Sequence, residues 1–238
     1  MMNANWPEEM DMDFGEDTTL CRDLEVANPQ LDHLPVVLLL DTSGSMMGQP
    51  INELNNGLEQ FFREATADAT IAKCVDLMII TYGGRVNVEV PFTTLENVQI
   101  TKELFADGGT PMAEAALKAI DEIKRQEVLY KRNGVQTYKA FVLNITDGEP
   151  TDPPYKIDQA RNKIIKYENN NIVGWYNVGV ENANISFLNG FGTRPAKKLR
   201  GLSFLELFRW LKCSISLISQ SRPGENVGLP PTDSWAEH

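Results

Sequence analysis

Val36-Val37-Leu38-Leu39-Leu40 runs without a polar residue and then stops at Asp41. The run is too short to cross a bilayer, and between breakers it reads as a strand buried on both faces. Such strands belong to parallel sheets covered by helices, and an acid at the C-terminal end of one lies where open α/β sheets place their ligands. Beyond Asp41 come Ser43 and Ser45, so three oxygen-bearing side chains alternate through Asp41-Thr42-Ser43-Gly44-Ser45. A loop there can turn all three toward one point. Oxygen donors with few charges suit a hard cation such as Mg²⁺ and not zinc or copper. The same residue types also build plain polar turns. This stretch alone leaves both readings open.

Charge is unevenly distributed along the 238 residues, whose net value is -11. Residues 1–34 hold nine acids and one base, while the remainder is nearly balanced with 24 acids and 21 bases. An acidic chain does not attract phosphate backbones, so nucleic acid is not an expected partner. The start of the chain lacks the basic region and apolar core of a signal peptide, and no stretch of 18 apolar residues occurs. No membrane association is expected. Cys21, Cys74 and Cys213 are odd in number, widely spaced and without zinc spacing. Cys74 and Cys213 read as small buried hydrophobes, and the set points to a reducing cytoplasm.

In order, residues 1–34 read as an acidic arm, 35–220 as the folded domain and 221–238 as a breaker-rich tail that Trp235 returns to the body. Behind Pro50, Ile51, Leu54, Leu58, Phe61, Phe62 and Ala65 recur at helical spacing over 50–67. Val75 to Tyr82 reads as a strand. After Gly83-Gly84, Val86, Val88 and Val90 alternate with polar residues, giving a half-exposed edge strand that Pro91 ends. A turn this short forces it antiparallel. Asp107-Gly108-Gly109-Thr110-Pro111 leads into a helix carrying Met112, Ala115, Ala116, Ala119, Ile120 and Ile123, with Thr110 at its N-cap. Residues 130–139 read as a polar connection.

Ala140 to Thr146 is a further buried strand, and it too ends on an acid, Asp147. Neighbouring parallel strands bring Asp41 and Asp147 to one sheet edge, where two carboxylates need a cation or a proton between them. A helix over 154–168, a strand over 172–180 and a short strand near 199–202 follow. Arg194, Lys197, Lys198 and Arg200 read as a solvated face. Ser203 and Glu206 fit a capping box opening a last helix, with Leu207, Phe208, Leu211, Ile215 and Ile218 inward. The sum is a doubly wound α/β fold. Its central sheet is mostly parallel, with about six strands and one antiparallel edge strand.

Asp41-x-Ser43-x-Ser45, Thr110 behind Gly108-Gly109, and Thr146-Asp147-Gly148 stand in order at three strand or helix boundaries. Together they resemble the von Willebrand factor A domain with its metal-ion-dependent adhesion site. Leu39 to Ile51, Asn56-Gly57-Leu58, Thr146 to Asp152 and Leu229-Pro230-Pro231 further resemble stand-alone bacterial A-domain proteins of tellurium-resistance and stress operons. The resemblance implies a Mg²⁺ site, with Mn²⁺ or Ca²⁺ as alternatives. Ser43 and Ser45 would ligate directly, Thr110 directly or through water, and Asp41 and Asp147 mostly through water. It also implies an open coordination position that a partner's Asp or Glu fills.

The expected function is therefore a metal-dependent protein-binding module, a cytoplasmic adaptor or scaffold and not an enzyme. The sequence assigns no oligomeric state. His33 lies at the junction of the arm and His238 is the last residue, so neither is placed as a general base, and both read as incidental. No phosphate-binding glycine loop occurs. One alternative is a Mg²⁺-dependent phosphohydrolase of haloacid-dehalogenase type. It would want an aspartate where Ser43 stands and a dedicated lysine on a later helix. The other is a scaffold that binds partners independently of metal.

Overall fold

Leu34–Asp41 (β1) is buried at every position, as a strand apolar on both sides must be. It is followed by Gln49–Thr66 (α1), Ala69–Cys74 (α2), Val75–Gly83 (β2), Arg85–Thr94 (β3), Met112–Arg132 (α3), Ala140–Thr146 (β4), Pro154–Asn169 (α4), Val173–Gly179 (β5), Ile185–Asn189 (α5), Lys197–Lys198 (β6) and Phe204–Ser219 (α6). These elements belong to a computed structural model that describes residues 26–99 and 102–237. Most of the expected arm, residues 1–25, lies outside the described residues.

The six strands form one sheet in the order β3-β2-β1-β4-β5-β6. Every pairing is parallel except β2 with β3. The sheet is the doubly wound, mostly parallel one expected. Alternation along β1 divides the core in two. Leu34, Val36, Leu38 and Leu40 pack with Leu54, Leu58 and Phe61 of α1 and with Phe208 and Leu211 of α6. Val37 and Leu39 pack with Ala115, Ala119 and Ile120 of α3 and with Ile164 of α4. Gly57 lets α1 and α6 meet closely, since a Cβ there would stand 2.7 Å from the Phe208 ring.

Several local expectations are corrected. The edge strand β3 continues through Pro91 to Thr94. Its register with β2 shifts between Leu77 and Ile79, opposite Thr93 and Val90, so the proline sits at a bulge on an edge and needs no ladder N–H. Helix α3 extends to Arg132 and buries Tyr130, taking over part of the expected polar connection. The last strand is Lys197–Lys198, short of 199–202, because Leu199 instead bridges to Ala236 of the tail. Ser203 precedes α6 but its side chain makes no capping bond. Cys74 is buried as expected, whereas Cys213 is exposed on the outer side of α6. Arg194 is not merely solvated. It pairs with Glu168, a buried carboxylate that also accepts from the backbone N–H groups of Trp175 and Thr193.

Trp235 returns the tail to the body, where it is 1% exposed and its ring centre lies 5.3 Å from that of Trp210. His33 is not incidental. It is fully buried and hydrogen-bonded to Asp76 at 2.8 Å. Among the described residues no helix is long and apolar enough to cross a membrane.

Candidate metal centre

Because β1 and β4 are parallel neighbours with Leu40 opposite Ile145, Asp41 and Asp147 do emerge at the same sheet edge. Asp41 is fully buried. One of its oxygens accepts the Ser43 backbone N–H at 2.8 Å, which turns the chain sharply after the strand. The other accepts the Thr146 hydroxyl at 2.5 Å, locking β1 to β4 at their ends. A single tight turn, Gly44–Met46, then carries Ser45 back over the site. Ser43 Oγ lies 3.0 Å from Ser45 Oγ, and Ser45 Oγ donates to Asp147 Oδ1 at 2.7 Å. Asp41, Ser43, Ser45, Thr146 and Asp147 thus form one connected set. Thr110 joins it at Gly148. A Cβ at that glycine would stand 3.4 Å from Thr110 Oγ1 and 3.7 Å from Ser45 Oγ, so both hydroxyls flank the same spot.

Two other loops hold Thr110 there. Gly44 N–H donates to Gly108 O at 2.9 Å, Gly84 N–H to Gly109 O at 2.7 Å, and Asp107 N–H to Thr42 O at 2.8 Å. Gly108 has φ +71, and a Cβ on it would fall 2.5 Å from Gly84 Cα, so only glycine fits this crossing. Helix α3 starts one residue later than expected, with Pro111 at the N-cap position, and Thr110 does not cap it. The cap comes from a residue sequence reasoning missed. Asp152 accepts from the backbone N–H of Ala113 at 2.9 Å and of Glu114 at 3.1 Å. Its neighbour Thr151 grips Thr110 from both sides, donating its N–H to Thr110 O at 2.9 Å and accepting the Thr110 N–H on Oγ1 at 3.1 Å. Capping across 39 residues leaves no local signal, since a cap is sought immediately before its helix. Asp152→Ala is expected to lower unfolding stability in urea by about 1 kcal/mol, the usual worth of a cap, with Asp152→Asn losing less.

The electrostatics are those of an uncompensated pair of acids. Burial raises the Asp41 carboxyl to about 6 against the hydrogen bonds from Ser43 and Thr146, and the Asp147 charge adds to the rise. Asp147 is also raised, first by burial and further by Glu181, against the bond from Ser45. Among the described residues, no cationic side chain is a cause of either shift. The Tyr82 hydroxyl beneath is pushed far up by burial and by the same two carboxylates, and it donates to Asn144 Oδ1 at 2.6 Å. Two acids without a counter-charge and three neutral hydroxyls fit a hard divalent cation, which the carboxylates would balance and the hydroxyls would coordinate. No group of three or more His, Cys, Asp or Glu stands together among the described residues, so any cation here would rest on the hydroxyls as well as the two acids.

A profile of the von Willebrand factor type A domain matches residues 36–204. No curated protein sequence matches the chain. Among solved structures, a von Willebrand factor type A protein from Catenulispora acidiphila superposes with TM-score 0.58 at 14% identity, over 79% of this chain and 43% of that one. The vWF domain of the type V pili tip protein Mfa5 from Porphyromonas gingivalis gives TM-score 0.58 at 11% identity, over 83% and 99%. Manganese-loaded TRAP protein from Plasmodium vivax gives 0.50 at 17% identity, over 74% and 73%. At these identities the likeness is one of fold. The chain spans less than half the length of the Catenulispora protein.

Proposed function

The chain belongs to the von Willebrand factor type A domain family, whose members are general protein-interaction modules, and from that premise we propose that it captures a protein partner through a divalent cation, Mg²⁺ by preference. The observation that carries the reading is the connected set Asp41, Ser43, Ser45 and Asp147 with Thr110 beside it. Ser43, Ser45 and Thr110 offer neutral oxygens, which leave a bound ion electron-poor and able to attract an incoming carboxylate strongly. A partner's Asp or Glu would be that carboxylate. Ser45 is exposed, so the set is approachable. A relative of the same fold carries manganese, which supports a divalent ion.

The rim supports a further feature of the partner. Met47, Phe105 and Tyr155 are 59%, 78% and 70% exposed. Met47 and Phe105 sit on two of the site loops, two residues past Ser45 and two before Asp107, and Tyr155 stands in the first turn of α4, three residues past Asp152. Met and aromatic side chains are enriched in interface cores. Exposed apolar residues near these loops in sequence suit a partner that offers an apolar surface around its acid. The module acts as a cytoplasmic adaptor in a tellurium-resistance or stress system, as the motif resemblance suggests, and is not an enzyme. A hydrolase of the alternative kind would need an acid where Ser43 stands.

A Mg²⁺ titration of the melting transition tests the reading. A cation that binds the folded state alone adds about 1.4 kcal/mol at ten times its dissociation constant. Melting temperature should rise with Mg²⁺ and fall back with chelator, with no hydrolysis of an aryl phosphate. A transition indifferent to both additions would refute the metal site.

A further inference from the structure

A second concavity lies on another part of the sheet, between β4, β5, α6 and the C-terminal stretch. Its volume is about 220 Å³, and its walls are mostly apolar. Tyr176, Trp210 and Trp235 line it, with Pro230 closing one side and Arg194 and Lys197 contributing positive charge. The rings form a bent wall. Tyr176 and Trp210 have centres 6.1 Å apart at 70°, and Trp210 and Trp235 5.3 Å apart at 59°.

This wall is fixed. Trp210 Nε1 donates to Pro230 O at 2.9 Å, and Arg200 N–H donates to Trp235 O at 2.7 Å. Lys198 pairs with Glu237 at 3.0 Å. The tail is therefore part of the concavity, which gives residues 229–237 a role that the metal centre does not. Two polar groups of the lining are not spent on the fold. Trp235 is 1% exposed, yet its indole N–H has no acceptor among the described residues. Lys197 forms no ion pair with a described residue. Arg194 is held in place by Glu168, with its guanidinium carbon 5.0 Å from the Tyr176 ring centre.

We propose that this concavity binds a small aromatic carboxylate, with the ring among Tyr176, Trp210 and Trp235 and the acid at Lys197 and Arg194. Size limits the ligand. A cavity of roughly 150 Å³ holds benzene, so about one ring and a short acidic arm fit, while a nucleotide or a peptide helix does not. Aromatic walls meeting at an angle receive a flat ring edge-on or offset. A free phosphate leaves those walls without a purpose, and a neutral hydrocarbon leaves Lys197 without one, Arg194 being already paired with Glu168. The carboxylate answers both features, by charge-assisted hydrogen bonds beside an apolar wall.

The test is a titration of the full chain with phenylacetate, phenylacetamide and acetate, followed by tryptophan fluorescence and calorimetry. Chelator is present throughout, so that a carboxylate on a metal at Asp41 and Asp147 cannot be mistaken for this site. Phenylacetate should saturate and bind about tenfold tighter than the amide, a step of one charge-assisted contact. Lys197→Gln, on a half-buried side chain outside the core clusters, should erase that difference and leave the fold intact. Three results would overturn the proposal: no saturation up to roughly 10 mM, equal binding of acid and amide, or acetate binding as well as phenylacetate. An unchanged preference for the acid in Lys197→Gln would also overturn it.

Discussion

Asp147→Ala is expected to fold as the native chain does and to lose both the Mg²⁺-dependent rise in melting temperature and the Mg²⁺-dependent capture of partner. The side chain is half-buried in a loop and its hydrogen bond is the one from Ser45, so no core contact is removed. What goes is one of the two carboxylates in the connected set. Disturbing even an indirect partner of a metal typically weakens binding about 10- to 100-fold, and here the residue is also one of the two acids in the connected set that would balance a divalent ion. Pull-downs with Mg²⁺ and with chelator, beside circular dichroism, read the two effects separately. An unfolded variant would identify Asp147 as structural. A full Mg²⁺ response in a folded variant would place the cation elsewhere.

The wild-type response should also depend on pH, through Asp41. Its folded carboxyl titrates at about 6, above its ordinary range, because burial disfavours the ion. The sign follows. With a raised acid, the metal-free fold loses stability as pH rises from about 4 to about 6, since ionisation is harder folded than unfolded. A cation that pairs with the ionised form recovers that loss. The Mg²⁺ increment to stability should therefore be full at pH 7.5 and shrink as pH falls through about 6.

How much of this was legible in the sequence follows from what each feature depends on. Val36 to Leu40, the helical spacing behind Pro50 and the stripe from Met112 to Ile123 are periodic, and periodicity survives without neighbours. The three oxygen-bearing loops were legible because each sits at a strand or helix boundary that the same pattern marks. Polar pairs joined across the fold were not. Asp152 capping α3, Glu168 holding Arg194, and Asp76 beneath His33 join residues 39, 26 and 43 positions apart with no repeating spacing. Burial of a polar residue is decided by such partners, so from sequence His33 reads as incidental and Arg194 as part of a solvated face. Pro91 misled for the opposite reason. A local breaker was tolerated because β3 is an edge strand with a bulge.

Asp76→Ala is expected to reduce the unfolding free energy by about 3–5 kcal/mol, the loss that follows when one member of a buried charged network is removed. Asp76 is 4% exposed at the start of β2. It accepts from His33 Nδ1 at 2.8 Å, Tyr130 Oη at 2.5 Å and Thr94 Oγ1 at 2.9 Å. Those partners come from the segment entering β1, the end of α3 and the end of β3, so one carboxylate ties four elements at the edge opposite the metal loops. Truncation leaves three buried donors unsatisfied, each worth about 1–3 kcal/mol in desolvation, and cavity relaxation recovers part of the sum. Asp76→Asn keeps the shape and one acceptor and should lose less. Burial alone would lower the His33 pKa, but the hydrogen bond and charge of Asp76 outweigh it and hold the imidazole above its ordinary value. A raised histidine adds stability below its unfolded pKa, and the gain fades as pH rises through the folded value. The penalty of Asp76→Ala should accordingly be larger at pH 6 than at pH 9 in urea unfolding. A penalty below about 1 kcal/mol at both would mean that water replaces the carboxylate without strain, and that Val26, packed on Tyr130 and Val135, anchors the incoming chain on apolar contact alone.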